Sequence, residues 1–86
     1  MKLEIVNEKG LHARASAKFV EVVEQFDATA DVYKDGLNAS GDSIMGLLML
    51  AASKGTTIEV QTSGADASAL AEALKALVAD KFGEAF

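Results

Sequence analysis

Lys2-Leu3-Glu4-Ile5-Val6-Asn7-Glu8-Lys9-Gly10-Leu11-His12-Ala13-Arg14 changes its period half-way along. Over residues 2–7, apolar Leu3 and Ile5 alternate with charged Lys2 and Glu4, the pattern of a half-buried strand. Gly10 then permits a tight turn. From Ala13 to Phe26 the spacing is helical. Phe19, Val20, Val23 and Phe26 fall on one stripe, and Lys18, Glu21, Glu24 and Gln25 face water. The single histidine of the chain, His12, therefore stands where a strand hands over to a helix, with Arg14 two positions on.

That position carries chemistry. An unperturbed imidazole titrates near about pH 6.5, so it can be a neutral nucleophile around pH 7. A helix N-terminus offers unpaired N–H groups and a partial positive charge, which suit a phosphate. The bland alternative is a half-exposed polar histidine with no chemistry.

Working outward, residues 28–34 alternate again, with Ala28, Ala30 and Val32 on one side. Asp35-Gly36 is a two-residue hairpin signal, because a type I′ turn needs positive φ at both central positions. Leu37 and Ala39 continue into a third strand. Ser43 reads as an N-cap. Ile44 to Ala52 reads as a short apolar helix, closed by Lys54 and Gly55. Residues 57–62 alternate, with Ile58 and Val60 opposed to Glu59 and Gln61. After Gly64, Asp66 is placed to cap a last helix whose stripe is Leu70, Leu74, Leu77 and Val78. The order is β-α-β-β-α-β-α. Strands with one apolar and one polar face predict a four-stranded antiparallel sheet wet on one side. Three helices cover its other face, giving an α/β (α+β) open-faced two-layer sandwich.

Composition narrows the function classes. At 86 residues the chain is one domain, residues 1–86, with a single modest core. It has no cysteine, hence neither a disulfide framework nor a thiolate metal site. No apolar run reaches the roughly 18–20 residues of a membrane span, and no signal segment is apparent, so a cytoplasmic protein without membrane contact is expected. A net charge of −5 argues against nucleic acid as partner. Residues 1–20 nevertheless hold Lys2, Lys9, Arg14 and Lys18 against Glu4 and Glu8. The histidine lies in the basic part of an acidic protein, which favours an anionic ligand or an acidic partner surface. No cofactor or metal is called for.

Gly10-Leu11-His12-Ala13-Arg14, the element order, and Ser43-Ile44-Met45-Gly46-Leu47 some thirty residues on together resemble the HPr family, the histidine-containing phosphocarriers of the bacterial phosphotransferase system. The resemblance spans essentially the whole chain. Leu47-Leu48-Met49-Leu50, Ser53-Lys54-Gly55 and Ile58-Glu59-Val60 look more like the nitrogen-related NPr branch than the sugar-transport branch. One departure stands out: the family usually has proline after the arginine, and here the residue is Ala15. Alanine restores an N–H, and the expected effect is on the order of a few tenths to 1 kcal/mol through unfolded-chain entropy.

The resemblance implies roles. His12 would be the phosphoryl acceptor, on Nδ1. Arg14 would bind phosphate oxygens. The helix pattern itself, not the resemblance, makes the N–H groups around Ala15, Ser16 and Ala17 first-turn donors that would cradle the anion. Ser16 could assist with its hydroxyl, although a helix-face serine is an equally good reading. Ser43 would be the target of a dedicated serine kinase in some members, its other reading being an N-cap. Ile44, Met45 and Leu47 would form an exposed docking patch, with Leu48 and Leu50 buried. The implied partners are an Enzyme I type donor, an Enzyme IIA type acceptor and an HPr kinase/phosphorylase. The protein would be a substrate of those enzymes rather than an enzyme, and a monomer. Two rivals stay open: a regulatory binding module switched by phosphorylation, and an amino-acid-sensing sandwich.

Overall fold

Alternating segments become strands and helical stripes become helices in the expected order. The computed structural model describes residues 1–86. Its elements are β1 (Lys2–Glu4), α1 (Ala13–Glu24), β2 (Thr29–Lys34), β3 (Leu37–Ser40), α2 (Ile44–Met49), β4 (Thr57–Ser63) and α3 (Ala67–Ala79), followed by a 3-10 turn at Lys81–Gly83. The sheet runs β1-β4-β2-β3, antiparallel throughout. Its registers pair Leu3 with Ile58, Val60 with Val32, and Val32 with Ala39. A side-chain period of two then sends this whole set to one face. The hairpin turn is as expected, with Asp35 at φ 50° and Gly36 at φ 81°.

On the covered face, Phe19, Val20 and Val23 of α1 and Leu70, Leu74 and Val78 of α3 meet the sheet residues in one core. A fully buried aliphatic or aromatic side chain contributes about 1.5–3 kcal/mol relative to exposure. Phe19, Leu47, Ile58, Leu70 and Leu74 are all in that class.

Three local readings change. Helix α2 stops at Met49, not Ala52, because Ala51 turns into the left-handed region at φ 52°. Lys54 and Gly55 therefore belong to the turn into β4 and do not cap the helix. Freed from the helix, Ala52 accepts a hydrogen bond from Leu11 N–H at 2.9 Å and ties this corner to the His12 loop. Asp66 precedes α3 but does not cap it; its carboxylate accepts from Asp27 N–H at 2.8 Å. Leu47, expected on the surface, is fully buried, and Leu48, expected inside, is half-buried. The short helix is apolar on every side, so its period alone does not choose its buried face. Packing against both α1 and β3 chooses, and Leu47 and Leu50 go into the core.

Candidate functional site

The loop before α1 has little freedom. Buried Leu11 anchors it, and Gly10 makes the bend at φ 64°. A Cβ on Gly10 would collide with the Ala52 carbonyl and lie 2.9 Å from Ser53 Cα. His12 follows as the N-cap of α1, with extended backbone at φ −77° and ψ −177°. Its Nδ1 does the work usually done by a serine or aspartate oxygen, accepting the Arg14 N–H at 3.3 Å.

The other ring nitrogen faces the far end of the chain. His12 Nε2 is hydrogen-bonded to Glu84 Oε2, with the two side chains 24% and 15% exposed. Glu84 Oε1 accepts from Asn7 Nδ2 at 2.9 Å, and the same amide nitrogen donates to Gly10 O at 2.9 Å. The Glu84 carboxyl is pulled upward by burial, but hydrogen bonds from Asn7 and His12 and the Lys9 charge outweigh this and hold it below its ordinary value. An ionised carboxylate only accepts, and a backbone N–H only donates. The two contacts therefore define one tautomer: the proton is on Nε2, and Nδ1 presents a lone pair.

The segment after α3 is placed to make this contact. Lys81 and Phe82 both adopt left-handed φ, 56° and 55°, and Phe82 is fully buried in the core. Lys18 Nζ donates to Phe82 O at 2.7 Å, and Glu8 N–H donates to Phe86 O at 3.1 Å. Neither Glu84 nor Asn7 carries a local signal in the sequence. Only the return of the chain brings them to His12.

The family described as "PTS HPr component phosphorylation site" matches residues 1–80. The chain belongs to the HPr family of phosphocarrier proteins. It is 50% identical over 82 residues to the phosphocarrier protein HPr of Neisseria meningitidis serogroup A, covering 95% of this chain and 92% of that one. It is 42% identical over 84 residues to the phosphocarrier protein NPr of Shewanella violacea, covering 98% and 92%. Among solved structures, HPr-C-His from Thermoanaerobacter tengcongensis superposes with a TM-score of 0.94 at 36% identity, covering 100% and 97%. HPr proteins carry phosphoryl groups between partner proteins of the phosphotransferase system and do not turn over a substrate of their own.

Seen as an HPr centre, the anion cradle needs one correction. Ser16 N–H already donates to His12 O at 2.8 Å, and Ala17 N–H takes its place in the helical repeat one residue later. Ser16 Oγ is buried and donates to Leu11 O at 3.3 Å. Because the helix begins at Ala13, the first-turn donors without a helical acceptor are those of Ala13, Arg14 and Ala15. Of the three amides read from the sequence, only that of Ala15 lacks a helical acceptor, and Ala15 is fully buried, so the exposed donors are those of Ala13 and Arg14. The Arg14 side chain is exposed and makes no ion pair.

Around His12 lies a shallow hollow of about 290 Å³ lined by Lys9, Leu11, His12, Leu48, Ala51, Ala52 and Ser53. Helix α2 exposes Ile44, Met45 and Met49, whereas Leu47 has left the patch for the core. Ser43 caps α2, its Oγ accepting Gly46 N–H at 3.0 Å. No group of three or more histidines, acids or cysteines is close enough to hold a metal ion. No helix is long and apolar enough to cross a membrane.

Proposed function

We propose that His12 Nδ1 accepts a phosphoryl group from the phosphohistidine of a phosphoenolpyruvate-dependent Enzyme I type donor and hands it to a histidine of an Enzyme IIA type acceptor. The observation that carries this reading is the pair of hydrogen bonds that leaves Nδ1 unprotonated at the mouth of α1. The Nδ1 lone pair attacks phosphorus in line. The donor's N–P bond breaks, and its electron pair returns to the donor ring. Such transfers depend mostly on positioning and charge stabilisation.

Once on Nδ1, the phosphate stands over the exposed first-turn amides of Ala13 and Arg14, and the Arg14 N–H exchanges a ring nitrogen for a phosphate oxygen. The unpaired Arg14 guanidinium adds a charge-assisted bond. The grip is light, as a carrier requires, because stabilising the phosphorylated ground state would slow its discharge. Ile44, Met45 and Met49, with Leu48 at the edge of the hollow, give partners an adaptable apolar footing. Ser43 is the proposed target of an HPr kinase/phosphorylase, and a phosphate there would still sit favourably at the α2 N-terminus. The protein works as a cytoplasmic monomer.

The test is incubation with donor enzyme and phosphoenolpyruvate. One acid-labile phosphate per chain is expected, absent in His12→Ala; labelling that survives the substitution refutes the assignment. Sugar-branch and nitrogen-branch partners run in parallel decide the branch. The exposed methionine patch also supports a second reading, a binding module that phosphorylation merely switches. Arg14→Ala separates the two: a carrier loses transfer far more than docking, and a switch loses both alike.

A further inference from the structure

We propose that Glu84, braced by Asn7, is a positioning residue for phosphoryl transfer: it holds the proton of His12 on Nε2 through both the free and the phosphorylated state. The inference rests on His12 being the phosphoryl acceptor. Three observations support it. Glu84 occupies the ring nitrogen opposite the proposed nucleophile. Its other oxygen is held by Asn7. Asn7 itself is fully buried, and its Oδ1 has no partner.

That orphaned carbonyl is informative. A buried acceptor left unpaired costs about 1–3 kcal/mol. Flipping the amide does not remove the cost, because Oδ1 would then face Gly10 O and Glu84 Oε1, both acceptors. The structure tolerates one unsatisfied oxygen in order to aim both amide hydrogens, one at the loop and one at Glu84. The tail is equally specified, by buried Phe82, by the Lys18 bond to Phe82 O and by the Glu8 bond to Phe86 O.

The chemistry explains what the arrangement does. When Nδ1 forms its bond to phosphorus, the ring takes on positive charge, and a carboxylate at Nε2 stabilises that charge as the acid of a catalytic triad stabilises its imidazolium. On discharge the N–P bond breaks and its electron pair returns to Nδ1. With the proton still on Nε2, the departing group is a neutral imidazole. Without it the ring would have to leave as an imidazolate, a far poorer leaving group. Glu84 therefore assists both directions of transfer while touching no phosphate oxygen.

The experiment compares the full-length protein with Glu84→Ala and Glu84→Gln, each checked for folding by thermal melt. Imidazole ¹H–¹⁵N spectra read the Nε2–H directly, and stopped reactions with the phosphorylated donor read the transfer rate. The wild type should show a low-field, slowly exchanging Nε2–H. Glu84→Ala should lose that signal and transfer about tenfold more slowly, the scale of one hydrogen bond to a charged group. Glu84→Gln can offer its oxygen to Nε2–H only by turning its NH2 onto the Asn7 amide, so it should keep a weakened signal and transfer at an intermediate rate. Persistence of the protected proton in Glu84→Ala, or transfer within twofold of wild type, overturns the role of Glu84. A wild type that takes no phosphate on His12 would instead refute the underlying assignment, so the two failures are distinguishable.

Discussion

Replacing Leu47 by alanine tests which face of α2 belongs to the core. Leu47 is fully buried, and its N–H donates to Ser43 O at 3.0 Å in the first turn of the helix. Truncation leaves a hole in the core beneath a short helix. Leu→Ala at such sites costs about 2–5 kcal/mol, and about 3 kcal/mol is a fair centre. Total stability at this chain length is about 4–13 kcal/mol, so a quarter or more of it would go. For a domain of this size, 3 kcal/mol corresponds to a fall in Tm of about 12–24 °C. Met45, 69% exposed, is the control, and Met45→Ala should stay within about 0.5 kcal/mol of wild type. Urea and thermal unfolding followed by circular dichroism give both numbers. A Leu47→Ala penalty below about 1 kcal/mol, together with a Met45→Ala penalty above 1.5 kcal/mol, would mean that the face containing Met45 is the buried one.

Three further outcomes are expected. Gly10→Ala should cost at least about 2 kcal/mol, since it combines a left-handed φ with a collision against Ala52 and Ser53, and a neutral result in urea unfolding would show that the loop is not held this way. Arg14→Ala should cut phosphoryl transfer about tenfold while changing donor affinity less than about twofold, read by stopped-flow and calorimetry. Glu84 is held below its ordinary carboxyl value of 4.5, so it contributes stability that is fully present above that pH and is lost as pH falls through the lower folded value. The stability gap between wild type and Glu84→Gln should accordingly close as urea titrations move from pH 6 to below pH 4.5, and a gap that widens would contradict the pairing.

Where the sequence has a period, it can be read. The alternation of Leu3 and Ile5 or of Ile58 and Val60, and the stripe of Leu70, Leu74 and Val78, leave one arrangement that buries each set. Asp35-Gly36 names its own turn, and His12 is conspicuous at a junction of periods. Helix α2 resists because Ile44 to Leu50 is almost uniformly apolar, so the choice between Leu47 and Met45 rests with the elements it packs against. The cradle shifts because a helix that begins at Ala13 already spends the Ser16 N–H on His12 O, so its free amides lie earlier than Ser16 and Ala17. Glu84 and Asn7 stay hidden for another reason. Seventy-seven residues separate them, and their meeting depends on two left-handed residues and one buried phenylalanine after α3. The local charge count around His12 misses this returning carboxylate too.

Phosphoryl transfer through this centre requires that phosphorus bond to one particular nitrogen of His12. Phosphorylating ¹⁵N-labelled protein with the donor and phosphoenolpyruvate, then recording the ring's ¹H–¹⁵N and ¹⁵N–³¹P couplings, reads this directly. The prediction is phosphorus on Nδ1, with Nε2 still carrying its hydrogen. Phosphorus on Nε2, or on any residue other than His12, would contradict it.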